Sequence, residues 1–379
     1  MSTATDERVP QRAYAAALAA LPSMSLRRLA SLLRAHRPDE AFAVVGGRVA
    51  GRGPITAALA DAAVAQRWRE AATPALVERT WRRCLAVGAD VVHLGAPSCP
   101  ARLDGVDAPP VLFVRGDAGL LDTGRHVAIV GTRNATAAGR EAARRIADGL
   151  ADAGVHVVSG PARGIDGCAH RAVVARAGTG RPIGVVASGL DVVYPREHRE
   201  LWERVAATGV LVSEAPPGTA PEAYRFPLRN RVIAGLAEIV VVVESRERGG
   251  SLITTRAADD RCIPVMAVPG SVNSPASAGT NELLRSGAVP VLDASDVLMA
   301  LEIDHCRAAP EQAESRPHPR GEDLDVYRLC ADGARTIDDV VAHTGVTLVS
   351  AAMSLARLEQ ARWLAGTDGW YEVIGAPLR

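Results

Sequence analysis

Glycine, threonine and arginine follow directly after an apolar run in this chain, an arrangement whose chemistry suits the binding of an anion. In VAIVGTRNAT (127–136) the apolar run leads into Gly131, Thr132 and Arg133. Small residues let backbone N–H groups approach phosphate oxygens, and a helix N-terminus behind them adds a positive dipole. The dinucleotide fingerprint G-x-G-x-x-G is absent from this loop, so we expect a different phosphate ligand.

Comparable loops follow five further apolar runs. They are SGPARGIDGCAH (159–170), SGLDVVYPREH (188–198), SEAPPG (213–218), ESRERGGSLITT (244–255) and VPGSVNSPASAGTN (268–281). A single loop of this kind is most often only a tight turn between a strand and a helix. Six in series predict a shared anion site, because ligands of open parallel sheets bind beyond the carboxyl ends of the strands.

A basic segment, YRFPLRNRVIAG (224–235), narrows the class of anion. Arg225, Arg229 and Arg231 occur there without an acidic residue, and guanidinium forks suit phosphate oxygens. Tyr224 and Phe226 offer faces on which bases can stack. The plainer alternative is a solvated basic turn that caps the sheet. The absence of a Walker lysine and of the dinucleotide glycines argues against a soluble dinucleotide.

The composition of the chain limits how much a single arginine counts as evidence for phosphate binding. The net charge is zero, and all 43 basic residues are arginine because the chain contains no lysine. Only arginine clusters without nearby acids therefore count as evidence for phosphate binding. No apolar run approaches the ~20 residues of a membrane helix, so we expect a cytoplasmic protein without a membrane partner. The six cysteines lack metal-ligand spacing, which predicts no metal and no cofactor.

Apolar runs alternate with helical segments in the middle of the chain, which predicts an α/β fold. We expect a Rossmann-like parallel sheet with helices on both faces. Its predicted strands are 126–130, 155–159, 183–187, 210–213, 238–243, 264–268 and 289–292. These runs are apolar almost throughout, as strands buried on both faces are.

The flanking segments predict two smaller modules. Leucines at helical spacing in SLRRLASLLRAH (25–36) indicate an N-terminal helical domain, either of the helix-hairpin-helix or SAM type or a packing module. Three helical patterns and a hairpin turning at Asp368-Gly369 indicate a C-terminal winged helix. The predicted organisation is an N-terminal domain at 1–98, a Rossmann-like domain at 99–304, a linker at 305–322 and a winged helix at 323–379.

Several motifs resemble those of the bacterial DNA-processing protein family DprA (Smf) in order and spacing. They are VGTR, SGPARGIDGCAH, FPLRNRVIAGL, GGSLITT and AGTNELLRSGA, and the resemblance is densest over residues 99–303. It implies a non-enzymatic protein without a cofactor that binds single-stranded DNA. It further implies a homodimer formed through the Rossmann-like domain, and loading of the RecA recombinase during natural transformation and recombination.

The resemblance also places the DNA contacts on this chain, with Arg133 as a contact to phosphate. The candidate DNA-binding residues are Gly131, Thr132, Arg133, Ser159, Gly160, Arg163, Gly164, Arg196, Phe226, Arg229, Asn230, Arg231, Gly250, Ser251 and Thr254. Two positions depart from the family pattern. Gly249 stands where the family usually has the first serine of Ser-Gly-Ser, and His198 stands where it usually has asparagine.

Two enzymatic alternatives remain open on the sequence. Cys168 and His170 beside Asp166 suggest a nucleophile or a metal site, although side chains two apart on a helix do not face each other. We expect Asp166 to cap the following helix instead. The stretch 268–282 is weakly similar to the loop of Rossmann-like nucleoside-monophosphate phosphoribohydrolases, with Glu282 as the acid.

Overall fold

The computed structural model describes residues 9–103, 105, 108–176, 178–301, 317–367 and 369–374. Within those residues, nine strands form one central sheet. The strands are β1 (Asp90–His93), β2 (Val111–Gly116), β3 (His126–Val130), β4 (His156–Ser159), β5 (Pro182–Val186), β6 (Val210–Ser213), β7 (Ile239–Val242), β8 (Val265–Ala267) and β9 (Val289–Pro290). Their spatial order is β1-β2-β6-β5-β4-β3-β7-β8-β9.

The strands β3 to β9 confirm the predicted parallel sheet, with small shifts at their ends. Ala128 at the centre of β3 lies opposite Val158 of β4 and Val240 of β7, both in parallel register. The central strands are buried along their whole length, which explains why their sequences are apolar at every position. The α/β fold class expected from the sequence is therefore confirmed.

Two antiparallel strands extend the sheet beyond the expected boundary. β2 pairs antiparallel with both β1 and β6, and Phe113 lies opposite Ser213. β1 lies in the segment that the sequence assigns to the N-terminal domain, and β2 follows Pro109 and Pro110 in a segment for which no strand is predicted. The sheet therefore begins at residue 90, ahead of the boundary predicted after residue 98.

Helices cover both faces of the sheet, as predicted. They are α7 (Ala137–Asp152), α8 (Ile165–Ala175), α9 (Arg199–Thr208), α10 (Arg225–Leu236), α11 (Ser251–Asp259), α12 (Ala278–Arg285) and α13 (Ala294–Ala300). Helices α7, α8 and α13 pack against Ile129, Val157 and Val241. Helices α10 and α11 pack against the alternate residues Ala128 and Val158 on the opposite face.

The N-terminal helices share a core with the sheet. They are α1 (Gln11–Ala19), α2 (Leu26–Ala35), α3 (Pro38–Val45), α4 (Ile55–Ala60), α5 (Ala62–Ala71) and α6 (Pro74–Ala86). One buried cluster joins Leu18 and Phe42 of these helices to Phe113 of β2, Leu211 of β6 and Trp202 of α9. The N-terminal module is therefore held against the sheet by continuous apolar packing.

The C-terminal residues fold around a core of their own. Three helices, α14 (Glu322–Ala331), α15 (Ile337–Thr344) and α16 (Leu348–Gln360), pack beside a small antiparallel sheet. Its strands are β10 (Arg335–Thr336), β11 (Leu364–Thr367) and β12 (Trp370–Val373). Gly369 turns the last hairpin with a φ of +83°, at the predicted position. The predicted linker lies mostly outside the described residues.

In the described part of the chain no single helix is long and apolar enough to cross a membrane. Helices α15 and α16 pass that test by length and composition only when taken together, with a 116° bend between them.

Candidate nucleic-acid interface

The loops at the carboxyl ends of the parallel strands are tied to one another by backbone hydrogen bonds. The N–H of Thr132, after β3, donates to the carbonyl oxygen of Glu244, after β7, at 2.8 Å. The N–H of Ile165, after β4, donates to the carbonyl oxygen of Thr132 at 3.2 Å. The structure therefore brings together three of the loops that carry predicted contact residues.

Two glycines permit this close approach. Gly164 has a φ of +74°, and a β-carbon there would lie 2.7 Å from the carbonyl oxygen of Arg133. A β-carbon on Gly131 would lie 2.5 Å from Ile165 Cγ1. Side chains at either position would push the loop after β3 away from the loop after β4. Both predicted glycines thus set the spacing of the backbone at this edge.

The N-terminus of α7, where a Rossmann enzyme would hold a pyrophosphate, is filled by a carboxylate of the protein itself. Thr136 donates its N–H to Glu244 Oε2 at 2.9 Å and its hydroxyl to Glu244 Oε1 at 2.8 Å. Glu244 is buried, and Gly139 leaves room for its carboxylate. The loop after β3 therefore holds no dinucleotide in the usual way, which explains the missing glycines.

A second carboxylate approaches the same helix terminus from the C-terminal module. The carboxyl group of Glu372 of β12 lies near the backbone N–H of Ala138 and near Glu244. Burial raises the pKa of Glu372, and the neighbouring charge of Glu244 raises it further. Sequence patterns did not reveal either acid, although Glu244 stands directly after an unbroken apolar strand.

An exposed arginine and two aromatic rings form the outward-facing part of the edge. The guanidinium carbon of Arg133 lies 4.6 Å from the centre of the Phe226 ring, within cation–π range. The ring of Tyr194 lies 5.5 Å from that of Phe226 in a tilted arrangement. Tyr194 is 42% exposed and is not among the residues that the sequence motifs select. We call Arg133, Phe226 and Tyr194 the Arg–aromatic cluster.

Asn230 and Gly250 border this cluster. Asn230 is one helical turn beyond Phe226 on α10, and its Nδ2 donates to the carbonyl oxygen of Gly250 at 3.4 Å. Open space lies where a β-carbon of Gly250 would be, so the backbone is accessible there. Arg246 and Arg248 are exposed in the preceding loop on either side of exposed Glu247, and neither arginine is among the residues that the motifs select.

Other predicted contact residues support the loops from within. Ser159 donates its hydroxyl to the carbonyl oxygen of Ile129 at 2.6 Å, and Ser251 donates to Ser245 Oγ at 2.8 Å. Thr254 is buried. The guanidinium of Arg229 is buried against Gly160 and donates to the carbonyl oxygen of Val185. These side chains form the floor of the interface.

Two further predicted arginines are held by acids. Exposed Arg163 pairs with exposed Glu197, and partly buried Arg231 pairs with Glu214. An exposed pair contributes little stability and exchanges readily for another anion, whereas a buried pair does not. Arg196 is exposed beside Glu197. Arg133, Arg163 and Arg196 are therefore the predicted arginines that an outside phosphate can reach.

The Cys168 and His170 alternative finds no support in the geometry. Burial raises the pKa of the Cys168 thiol and lowers the pKa of His170 to about 4, so both groups are neutral near pH 7. The His170 ring contacts the carbonyl oxygen of Ser159 through Nε2 at 3.2 Å. Among the described residues no cluster of His, Cys, Asp or Glu could hold a metal ion.

Asp166 differs from its expected role as a helix cap. Gly164 is the N-cap of α8, and Asp166 lies within the first turn. Its carboxyl group lies close to the backbone N–H of Gly131 and faces the guanidinium of Arg229, and both oppose the rise in its pKa that burial causes. This aspartate therefore lies between the loops after β3 and β4.

His198, the departure from the family pattern, also has a defined place. Its Nε2 accepts from Arg171 at 2.8 Å, and its Nδ1 lies 3.1 Å from the carbonyl oxygen of Pro161, to which it donates. These contacts assign the proton of the neutral ring to Nδ1. The imidazole thus braces the loop after β4 from beneath, without reaching its outer surface.

Comparisons with known proteins point to one family. The family model of "DNA recombination-mediator protein A" matches residues 90–302. The DNA processing protein DprA of Bacillus subtilis (strain 168) is 40% identical over 215 residues, which cover 56% of this chain and 72% of that protein. The Protein Smf of Escherichia coli (strain K12) is 36% identical over 278 residues, which cover 72% and 74%.

Two solved structures are similar to this one. DprA from Streptococcus pneumoniae has a TM-score of 0.64 at 28% identity, covering 76% of this chain and 97% of that one. DprA from Helicobacter pylori, described with a single-stranded DNA binding mode, has a TM-score of 0.51 at 29% identity. That match covers 56% of this chain and 95% of that one. The comparisons do not favour the phosphoribohydrolase alternative, and Glu282 forms an exposed ion pair with Arg285.

The Glu214–Arg231 pair predicts a pH dependence of stability. Burial raises the pKa of Glu214 from 4.5 to about 7 against the opposing charge of Arg231. Between these pH values the folded state binds more protons than the unfolded state, so the free energy of unfolding falls as pH rises. We expect Glu214→Gln to remove part of this fall, on the order of 1–3 kcal/mol between pH 4.5 and pH 7.

Urea unfolding of both proteins at a series of pH values measures this difference. Glu203→Gln is the matched control, because Glu203 also pairs with an arginine, Arg115, but is half exposed. Parallel curves for the wild type and Glu214→Gln over this range would contradict the assignment.

Proposed function

The chain belongs to the DNA recombination-mediator protein A family, and we propose that it binds single-stranded DNA at the carboxyl edge of its parallel sheet. The observation that carries the proposal is the exposed Arg–aromatic cluster of Arg133, Phe226 and Tyr194. It offers a guanidinium for a backbone phosphate and aromatic faces for bases. The described binding of single-stranded DNA by the related Helicobacter pylori protein supports the choice of ligand.

The other predicted contacts divide into two roles in this proposal. Arg163 and Arg196 reach phosphates at the surface, Arg163 by exchanging Glu197 for the DNA. Arg229 and Arg231 hold the floor in place through their buried contacts with Val185 and Glu214. The loops that contain Gly131 and Gly250 bring their backbone close to the DNA strand. Phosphate and stacking contacts carry little sequence information, so binding is largely independent of sequence.

The protein acts here as a binding protein and not as an enzyme. The half-buried thiol of Cys168 and the buried imidazole of His170 are neutral near pH 7, so they supply no thiolate–imidazolium pair. The rival function, hydrolysis of nucleoside monophosphates, would need Glu282 as a catalytic acid. Glu282 is instead paired with Arg285 on the surface of α12. Incubation with nucleoside monophosphates should therefore release no free base.

The first prediction from this proposal concerns Arg133. Arg133→Ala should weaken binding of a labelled single-stranded oligonucleotide by about tenfold for all sequences alike, through loss of a phosphate contact and of the cation–π contact. Thermal stability should hardly change because the side chain is exposed. The dependence of log K on log salt should also become less steep by about 0.7.

Fluorescence anisotropy against a salt series, with duplex DNA as competitor, measures these effects. Arg145→Ala is the matched control, since Arg145 is an exposed arginine on the helix that follows the same loop. Equal affinities for Arg133→Ala and Arg145→Ala would exclude this cluster as the binding site. Affinity that does not change with salt would exclude phosphate contacts in general.

We further propose that the DNA-bound protein loads RecA recombinase, in keeping with the recombination-mediator family. The expected result is a shorter lag before RecA filaments form on single strands precoated with a single-strand-binding protein. Arg133→Ala should lose this effect together with DNA affinity, and Arg145→Ala should keep it. An unchanged lag with the wild-type protein would remove RecA as a partner.

A homodimer through the Rossmann-like domain completes the proposal. Among the described strands, β9 pairs on one side only, so one edge of the sheet is open. Val289 and Leu292 are 55% and 72% exposed at this edge, and Met299 of the following α13 is also exposed. Exposed apolar side chains beside an unpaired strand edge favour association with a second copy.

The double variant Val289→Asp/Leu292→Asp should therefore convert a dimer into a monomer. Light scattering after size-exclusion chromatography measures the mass directly. Val49→Asp, which places the same charge on an exposed valine of the N-terminal module, should leave the mass unchanged. A monomeric wild-type protein at micromolar concentration, or a double variant that still dimerises, would contradict this interface.

A further inference from the structure

A cleft separates the N-terminal module from helix α10. Its volume is about 1170 Å³, and its walls are α2 with the preceding loop on one side and α10 on the other. Leu112, Val185 and Ser213, from three neighbouring strands of the central sheet, form its floor. The cleft therefore opens beside the carboxyl ends of β5 and β6, next to the loops described above.

Arginines dominate the charged lining of this cleft. They are Arg27, Arg34, Arg225, Arg229 and Arg231, and the carboxylate that lines the cleft with them is Glu214. The balance is unusual in a chain whose net charge is zero. Glu214 pairs with Arg231, and Arg225 forms a surface pair with Glu222 that an outside anion can replace. Arg229 faces the buried Asp166, so exposed Arg27 and exchangeable Arg225 are the arginines through which the cleft attracts an anion.

An aromatic face stands at the rim of the cleft. The side chain of Tyr224 lines it and is 57% exposed. The guanidinium carbon of Arg225 lies 5.1 Å from the centre of the Tyr224 ring. An exposed ring beside arginines is the combination that holds a base and its phosphate in single-stranded nucleic acid.

Helix α10 connects the cleft to the Arg–aromatic cluster. Phe226 and Asn230, which are four residues apart, lie on its face toward the glycine-rich loops. Arg225, Leu228 and Val232 lie on the face toward the cleft. The two surfaces are thus separated by one helix, which is about 10 Å across. A nucleic-acid strand needs only a few nucleotides to cross that distance.

We propose that the cleft between α2 and α10 binds further nucleotides of the same single strand that the Arg–aromatic cluster holds. Arg27 and Arg225 contact phosphates there, and Tyr224 stacks on a base. The proposal rests on the proposed function, and it makes the N-terminal module a direct DNA-binding element. It also predicts that the number of nucleotides bound exceeds what the loop face alone can hold.

Binding of oligo(dT) of increasing length, from about 4 to about 30 nucleotides, tests the proposal. Arg27→Glu should match the wild type on the shortest oligonucleotides, which occupy the loop face alone. On long ones it should bind about tenfold more weakly, with a salt dependence less steep by about 0.7 or more. Tyr224→Ala should show the same dependence on length through loss of stacking.

Arg79→Glu is the matched control, because it makes the same charge change at an exposed position on α6, outside the lining of the cleft. Equal affinities for Arg27→Glu and Arg79→Glu at every length, with Tyr224→Ala also unchanged, would overturn the proposal. Thermal unfolding of each variant shows that a lost affinity is not lost folding.

Arg133→Ala distinguishes failure of the cleft from failure of the proposed function. If Arg133→Ala weakens binding at all lengths while the cleft variants do not, the proposed function stands and the cleft inference fails. If the wild type binds no single-stranded DNA, the proposed function itself fails. A separate titration with deoxythymidine monophosphate covers the free nucleotide. If deoxythymidine monophosphate binds in a way that depends on Arg27, while Arg27→Glu leaves the affinity for long DNA unchanged, the proposal that one continuous strand enters the cleft is wrong.

Discussion

The carboxylate of Glu244 at the start of α7 is the contact on which the arrangement of this edge depends. It satisfies backbone and hydroxyl donors of Thr136 that would otherwise attract a phosphate. The carbonyl oxygen of the same residue accepts from Thr132, so one residue just after β7 fixes both the loop after β3 and the helix behind it. Since the helix terminus is filled, an outside anion must be held by side chains further out.

Buried charge beneath the loops gives those outer side chains a rigid base. The guanidinium of Arg229 is removed from water but faces Asp166 and donates to Val185, so it remains compensated. Asp166 in turn lies close to the backbone N–H of Gly131. Removing one member of such a set leaves another uncompensated, which is why these residues define the loop geometry. Arg133 lies near both groups, but among the described residues it forms no ion pair with them, and its side chain faces solvent.

Sequence patterns predicted the parallel sheet well, because strands buried on both faces must be apolar throughout. They missed β1, which lies in the segment assigned to the N-terminal domain, and β2, which follows directly after Pro109 and Pro110. For the candidate site, motif order selected loops that the structure brings to one edge, and it selected Arg133 and Phe226, which lie in contact there. Motif order could not distinguish an arginine that reaches solvent from one held by Glu214 or Val185. Periodicity indicates the face of a helix on which a residue lies, but it does not indicate which group the side chain contacts.

The shared core gives the N-terminal helices a part in the geometry of the site. Trp202 and Phe113 pack against residues of those helices, so α2 stands at a fixed distance from α10. A module joined by a flexible linker would lose ordering entropy each time it closed on a strand. Here that cost was met during folding, and both walls of the cleft are in place before a ligand arrives. Apolar packing on one face of the sheet thus fixes the positions of the charged residues that line the cleft on the other face.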